Sequence, residues 1–189
     1  FYDVKMDKWH MSRTETPEGR YAYEGILLRG HTALAVLNSA IRRPEGGPSI
    51  WNWRHVRLAR CDDLTQGKWI NQAWLMPKYG HTALQDLIQG PDGCAYLAYA
   101  HSASDVSWVE ADKAPLRHSI ARIHDDLKVE TYPTGIEAAS TRIFLDSAKN
   151  WYLLGRPAPN KNLRLWKLDP EAGFKSTLEY ELPGTDVLE

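Results

Sequence analysis

The chain has 189 residues, 43% of them hydrophobic and 25% charged, which is typical of a globular protein with a sizeable core. Its 23 basic and 24 acidic residues give a formal net charge of −1, so the chain has no broad positive field for nucleic acid or an anionic membrane. No apolar run reaches the length of a membrane span. An anionic ligand must therefore be bound by a local group of basic residues.

The start of the chain, its cysteines and its aromatic residues give three further expectations. The chain opens at Phe1 without a signal-peptide pattern, so we expect a piece of a longer protein. Cys61 and Cys94 can form at most one disulfide and match no zinc or redox spacing. Trp and Tyr, at 8 and 9 residues, outnumber the 3 Phe. Their rings suit sugar binding, but composition alone favours a role in β-rich cores.

Short β-type runs fill the chain, and they repeat. After a leading piece, "RHVRLARCDDL" (54–64) recurs as "RHSIARIHDDL" (117–127), and "NLRLWKLDPEAG" (162–173) has the same shape. Each repeat is an alternating strand that ends in an acidic turn. A hairpin-like pair of runs precedes it and another candidate strand follows. The recurring aspartates at the strand ends indicate turn chemistry rather than paired catalytic acids.

Four short antiparallel strands per repeat, at roughly 40 to 60 residues each, are typical of β-propeller blades. The sequence therefore predicts an all-β fold with about three four-stranded blades at 21–77, 78–134 and 135–184. Residues 1–20 would end a preceding blade. Propellers usually close with about four to eight blades. We expect the remaining blades to come from the same protein or from another copy.

The segment "GHTAL" occurs at 30–34 and again at 80–84, and it carries His31 and His81 at matching places. The match suggests a period of 50 residues led by equivalent strands. Strand counting disagrees, because the first copy opens the second strand of its blade and the second copy opens a first strand. We follow the strand order.

The stretch "GHTALQDLIQGPDGCAYLAYAHS" places two apolar runs around a Gly-Pro-Asp-Gly turn and predicts a β-hairpin centred near position 91 or 92. His81 and His101 would then be cross-strand partners or the nearest diagonal, about 5 to 8 Å apart at Cβ. A short amphipathic helix over 84–88 is the alternative. Such a histidine pair is as often a structural polar pair as a catalytic one.

The next hairpin, "STRIFLDSAKNWYLLGR", has its turn centred near Ala148, which pairs Arg156 with Ser140 and leaves Arg142 close by. If adjacent blades stand side by side, His81 and His101 lie at the corresponding end of the neighbouring hairpin. Two imidazoles beside a guanidinium suit an anionic sugar, because arginine binds a carboxylate bidentately and histidine moves protons near neutral pH. A salt-bridged arginine at the rim is the alternative.

The remaining residues carry weaker signals. His55 and His118 occupy the same place in two repeats and are predicted to be structural, whereas His10 and His124 have no identifiable partner and are predicted to lie at the surface. No P-loop, dinucleotide fingerprint, nucleophile elbow or Cys/His metal pattern is present. No cofactor is therefore predicted, and no metal ligand is assigned.

The hairpin stretch, with its Gly-His opening, its Asp-Gly turn and a second histidine twenty residues after the first, resembles the propeller polysaccharide lyases of the BNR-like superfamily. The likeness is to the ulvan lyases and to relatives, including a rhamnosidase-like branch, that act on rhamnose linked to glucuronic acid. "WYLLGR" resembles the strand that brings an arginine into their site. The resemblance covers about residues 78–168 and implies a seven-bladed propeller, secreted or periplasmic, that acts on an anionic polysaccharide or oligosaccharide.

The resemblance also implies roles for single residues. In the family's lyases a base takes the C5 proton of a uronic acid and the 4-linked sugar is eliminated. His81 and His101 would form the proton-transfer and substrate-orienting pair, and Arg156 would bind the carboxylate. Further substrate-binding candidates are Arg142, Ser140, Tyr79 and His31.

One position departs from the family pattern. The lyases usually place a tyrosine opposite the arginine, where this chain has Ser140. Three interpretations are compatible with this difference. The protein is a lyase that uses Tyr79 or a histidine alone, a rhamnosidase-like hydrolase, or a non-catalytic propeller that binds carbohydrate or serves as a scaffold.

Overall fold

A computed structural model of the chain describes residues 2–9, 20–41, 53–74, 82–101, 117–138, 140–156 and 162–182. All regular structure in these ranges is β-strand, which confirms the predicted all-β class. The strands are β1 Tyr2–Asp3, β2 Lys8–Trp9, β3 Arg20–Arg29, β4 Thr32–Ile41, β5 Trp53–Cys61, β6 Trp69–Trp74, β7 Thr82–Gln89, β8 Ala95–His101, β9 Arg117–Ile123, β10 Val129–Glu137, β11 Ser140–Leu145, β12 Trp151–Arg156, β13 Leu163–Asp169 and β14 Lys175–Leu182.

Strands β3–β6, β7–β10 and β11–β14 form three four-stranded antiparallel sheets in sequence order, here named the first, second and third sheet. Strands β1 and β2 form a small hairpin. The three sequence repeats provide β5, β9 and β13, the third strand of each sheet. Such meandering sheets are what the sequence predicted for propeller blades. The chain divides into two compact units, Phe1–Lys78 and Tyr79–Glu189.

The two "GHTAL" segments belong to different strand positions, as strand counting predicted. Thr32 begins β4, the second strand of the first sheet, whereas Thr82 begins β7, the first strand of the second sheet. The fifty-residue spacing is therefore not the structural repeat.

The predicted β7–β8 hairpin is confirmed, and the alternative helix over 84–88 is wrong. The Gly90 amide donates to the Cys94 carbonyl at 2.9 Å. Gly93 has φ +83°, a backbone conformation that is strained for any residue with a side chain. A β-bulge between Leu84 and Asp86 shifts the register, so His101 pairs with Thr82.

The β11–β12 hairpin has a regular register from end to end. Ser140 pairs with Arg156, as the sequence predicted. The Asp146 carboxylate closes the turn by accepting hydrogen bonds from the Asn150 backbone and side-chain nitrogens, both at 2.8 Å. Without a bulge, the turn position alone fixes every pair of this hairpin.

The recurring aspartates at the strand ends form turns, as predicted. The carboxylates of Asp63, Asp126 and Asp169 each accept a hydrogen bond from the backbone N–H two residues on, at 2.9, 2.9 and 3.0 Å. This is the local Asx geometry that ends a strand and begins the return.

In the first unit, the first sheet buries apolar side chains on both faces. Val36, Val56 and Leu58 are fully buried on one face, and Ala35 and Ala59 are fully buried on the other. The β3–β4 and β5–β6 turns lie together, because the Leu64 amide donates to the His31 carbonyl at 2.8 Å.

In the second unit, the second and third sheets pack face to face over one apolar core. Its centre is aromatic: Trp151 lies 4.5 Å from Tyr96 and 5.3 Å from Phe174 between ring centroids. Tilted and edge-on ring pairs of this kind stabilise a core beyond the area that they bury. The buried members are Tyr96, Ala98, Ile120, Ile136, Ala138, Ile143, Trp151, Leu153, Trp166, Leu168 and Phe174.

The bulge in β7 joins the two sheets at their first strands. Because β11 is an edge strand, some of its backbone N–H groups face outward and need acceptors. The Gln85 side-chain oxygen accepts from the Thr141 amide at 3.2 Å, and the Asp86 carboxylate accepts from the Ile143 amide at 3.3 Å. The bulge thus supplies acceptors that a regular strand would not present.

A buried histidine makes a second connection between these sheets. His118 is 1% exposed, and its Nε2 lies 2.6 Å from the Ala138 carbonyl oxygen. Since a carbonyl only accepts, Nε2 carries the proton, and Nδ1 accepts from the Thr141 hydroxyl at 3.2 Å. The structural role predicted for His118 is confirmed.

The shared core predicts unequal costs for two leucine truncations in the third sheet. Leu153 is fully buried between the sheets, and Leu182 is 46% exposed. Leu153→Ala should lower the free energy of unfolding by about 2 to 5 kcal/mol, because the cavity cannot refill, and Leu182→Ala by about 1 kcal/mol or less. Urea unfolding of both variants measures the difference. Equal losses would contradict the packing of the second sheet on the third.

His118 predicts a loss of stability in mild acid. Burial lowers the pKa of His118, with partial opposition from the hydrogen bond to Ala138. The unfolded chain therefore binds a proton that the folded chain does not, so this stability is present above the unfolded pKa of about 6.5 and is lost as the pH falls below it.

His118→Gln should flatten this pH dependence in urea unfolding, because a glutamine side chain is neutral and can both donate and accept. The control is His31→Gln, at an exposed turn of the first unit. An unchanged slope in His118→Gln would show that other groups carry the acid sensitivity.

Candidate functional site

Two of the predicted arginines share a cavity of about 200 Å³ in the second unit. Arg142 comes from β11 and Arg156 from the end of β12, and both are exposed. The cavity is lined by Gln85, Thr141, Arg142, Leu154, Gly155, Arg156 and Leu163. It lies at the end of the third sheet opposite the β11–β12 turn.

Strand alternation places the arginines on the outer face of the third sheet, opposite the face that carries the core shared with the second sheet. Thr141 and Ile143 are buried toward the second sheet, so Arg142 between them projects to the other side. Arg142 lies opposite Leu154, and Arg156 follows Leu154 by two residues on the same face. The two guanidinium groups therefore arise from neighbouring rows of one sheet face.

A contact with the second sheet holds the Arg142 side chain. Its Nη1 donates to the Gln85 backbone carbonyl in the β7 bulge. This bond uses one of the five guanidinium N–H groups and leaves the others available to a ligand.

Neither cavity arginine forms an ion pair within the described part of the chain, whereas Arg164 pairs with Glu181 at 2.7 Å on the same sheet. Among the described residues that line the cavity, two guanidinium groups and no carboxylate give a local positive charge in a chain of net charge −1. A planar, always charged guanidinium matches the two oxygens of a carboxylate, so the cavity suits a carboxylate ligand.

Apolar and aromatic groups adjoin the charged ones. Leu154 and Leu163 line the cavity, and the rings of Phe144 and Tyr152 stack beside it on the same face, 5.6 Å apart with an interplanar angle of 20°. Flat apolar surface next to a cation suits an acidic sugar, which has a C–H face and a carboxylate.

His101 lies on a different face. Ala100 and His118, which are register partners, face the third sheet, so His101 at the next position projects away from it. His101 does not line the arginine cavity. Its register neighbour on β9 is Arg117, an exposed arginine that the sequence reasoning did not single out.

The remaining candidates are placed as follows. Ser140 pairs with Arg156 in register, at one end of β11. His31 lies exposed in the β3–β4 turn, in the other compact unit. His81 and Tyr79 lie outside the described residues, and so does His10. The structure thus brings together Arg142, Arg156 and the Ser140 backbone.

Two residues that the sequence reasoning missed contribute to these places. Gln85 reaches the cavity because the bulge turns it toward β11, and Arg117 stands beside His101 because β9 pairs with β8. Gln85 could have been noticed because it is a polar residue that interrupts the alternation of polar and apolar residues along β7. For Arg117 the signal was a basic residue at the start of a repeated strand.

The described ranges contain no arrangement typical of a metal site or of a membrane-spanning helix. Within them, no group of three or more His, Cys, Asp or Glu side chains is arranged to hold a metal ion. In the same ranges, no helix has the length and apolar character needed to cross a bilayer.

Comparison with known proteins adds no assignment. No family model, curated protein or solved structure matches this chain. The likeness to propeller lyases therefore remains an expectation from the motifs, and the arrangement of the side chains carries the functional argument.

Proposed function

We propose that this chain belongs to a carbohydrate-active β-propeller that binds a polysaccharide or oligosaccharide containing uronic acid and rhamnose. The observation that carries the proposal is the cavity in which Arg142 and Arg156 lie beside Leu154 and Leu163, with no carboxylate partner among the residues that the structure describes. The two guanidinium groups would hold a uronate carboxylate, and the apolar side chains would contact the sugar ring.

In the proposed protein, further blades of the same chain or of another copy complete the ring. The support is the repeated sheet architecture, since each additional sheet would cover an apolar face of its neighbour. A secreted or periplasmic location follows only from the resemblance to propeller lyases.

We also propose that the complete protein cleaves its ligand by β-elimination. A base removes the C5 proton, a double bond forms between C4 and C5, and the C4–O bond to the next sugar breaks. The proton becomes acidic enough only when a cation or hydrogen-bond donor neutralises the uronate carboxylate.

His101 is the described residue that suits the base, with His81 as its proposed companion. Its face also carries Arg117, the register neighbour that could neutralise the carboxylate. In this arrangement the arginine cavity binds another acidic residue of the same polysaccharide. A rhamnosidase-like hydrolase and a protein that only binds are the alternatives.

Removal of the cavity charges should weaken binding of acidic sugar. The variant Arg142→Gln/Arg156→Gln should bind a rhamnose–glucuronate oligosaccharide at least about tenfold more weakly, because charge-assisted hydrogen bonds are lost. Isothermal titration calorimetry measures the affinity. Arg164→Gln is the matched control, because its charge is already paired with Glu181.

The ligand provides a second control for this binding experiment. Reduction of the uronate carboxyl to an alcohol should weaken binding to the wild type about as much as the double variant does. Equal affinity for the acidic and the reduced oligosaccharide would contradict the carboxylate site.

The elimination predicts a product that absorbs ultraviolet light, because the new double bond is conjugated with the carboxylate. The full-length protein should generate this absorbance from ulvan or from rhamnose–glucuronate oligosaccharides. His101→Gln and Arg117→Gln should each lower the rate at least about a hundredfold, as expected for loss of a general base or of charge stabilisation. New reducing ends without absorbance would identify a hydrolase. The absence of any product would indicate a protein that binds the polysaccharide without cleaving it.

A further inference from the structure

The opposite end of the second sheet carries a thiol next to an imidazole. Ala95 in β8 pairs with Ile123 in β9, so the residues just beyond them, Cys94 and His124, are neighbours. The Cys94 Sγ lies 3.9 Å from His124 Nδ1. The sequence identified no partner for His124 and placed it at the surface; its side chain is 29% exposed and contacts Cys94.

A carboxylate lies on the far side of this imidazole. His124 Nε2 is 3.4 Å from Oε1 of Glu130, the second residue of β10. An ionised carboxylate only accepts, so it favours the tautomer with the proton on Nε2. That tautomer leaves the Nδ1 lone pair directed at the thiol.

The neighbouring groups keep Glu130 ionised. The Tyr132 hydroxyl donates to it at 2.8 Å, and Arg122 Nη1 lies 3.6 Å away. These contacts and His124 lower the pKa of Glu130, with the Tyr132 hydrogen bond as the largest cause. Glu130 is thus an acceptor throughout the neutral range.

The other charged groups around Cys94 form a network that includes the thiol, because burial raises the pKa of Cys94 and a hydrogen bond from Arg122 partly offsets that rise. Arg122 pairs with Asp92 at 2.6 Å, and the Tyr96 hydroxyl donates to the same carboxylate at 2.9 Å. Asp125, Asp126 and Lys128 lie in the β9–β10 turn. The third sheet contributes aromatic core residues, against which Cys94 packs.

Cys94 is partly exposed, whereas Cys61 is fully buried, and both are free thiols. Burial is the largest cause that raises the pKa of Cys94, so its thiol is protonated at neutral pH and needs a base before it can react. His124 is the base within reach. His101 lies at the other end of β8, about 23 Å from Cys94 at about 3.3 Å per residue, so this cluster is separate from the proposed carbohydrate site.

We propose that Cys94 is a nucleophilic thiol site for small soluble disulfides such as glutathione disulfide, with His124 as its base and Glu130 as the residue that orients the imidazole. The Cys94 proton passes to His124 Nδ1, and Sγ attacks one sulfur of the disulfide. The S–S bond of the disulfide breaks as the new one forms. The other sulfur leaves as a thiolate and takes up the proton, so one free thiol is released for each mixed disulfide.

Incubation of the chain with glutathione disulfide should add one glutathione, located on Cys94 by mass spectrometry and removed by dithiothreitol. Cys94→Ser should abolish the modification, and Cys61→Ala should leave it unchanged. A label on Cys61, or no label on the wild type, would overturn the proposal.

The role of the base is tested through the pH profile of the reaction with 4,4′-dithiodipyridine. His124→Asn should slow the reaction at neutral pH at least about tenfold and remove one inflection from the profile, leaving only the thiol's own titration. Glu130→Gln should retain the inflection with a smaller loss of rate. His31→Asn is the matched control, and circular dichroism confirms that each variant is folded.

An unchanged rate and profile in His124→Asn would show that Cys94 reacts without assistance and would overturn the role of the base. These readouts do not involve sugar binding. Failure of the carbohydrate proposal and failure of the thiol proposal are therefore distinguishable.

Discussion

The packing of the second unit depends on one constraint, that the outward N–H groups of edge strand β11 find acceptors. An unsatisfied buried N–H costs about 1 to 3 kcal/mol, comparable with a large part of the stability of a small domain. The bulge in β7 meets this need by directing Gln85 and Asp86 at Thr141 and Ile143. Once the first strands are joined in this way, the apolar faces of the two sheets lie against each other.

The same junction sets up both His118 and the arginine cavity. With β11 held beside β7, the Thr141 hydroxyl lies within reach of His118, and Arg142 reaches the Gln85 carbonyl. The positions of the buried His118 imidazole and of the exposed Arg142 guanidinium therefore both depend on how β11 is held beside β7. Disruption of the bulge should therefore change the acid sensitivity and the shape of the arginine cavity together.

Strand pairing could be predicted from the sequence where a tight turn connects the two strands. In β11–β12 the turn position gives every pair, including Ser140 with Arg156, because nothing interrupts the ladder. In β7–β8 the pairing next to the turn, Gln89 with Ala95, would place Ala83 opposite His101, and the bulge moves the partner to Thr82. A bulge depends on what the neighbouring sheet requires, and a single hairpin sequence does not contain that information.

The pairing of strands that are joined by long connections could not be predicted in this way. Residues 102–116 separate β8 from β9, so no turn centre predicts that Ala95 meets Ile123 or that His101 meets Arg117. The Cys94–His124 contact and the arginine beside His101 were both missed for this reason. The sequence also does not show which side chains face the core, because that depends on which face of each sheet the adjacent sheet covers.

The outer face of the third sheet connects the arginine cavity to the proposed ring. Besides Arg142 and Arg156 it carries Phe144 and Tyr180, which are 38% and 60% exposed. In the proposed propeller another sheet covers this face, and its approach would exclude water from the cavity. Desolvated guanidinium groups need a counter-charge, because an unpaired buried charge costs several kcal/mol. A bound carboxylate would supply that charge, so binding of the acidic sugar and closure of this face should favour each other.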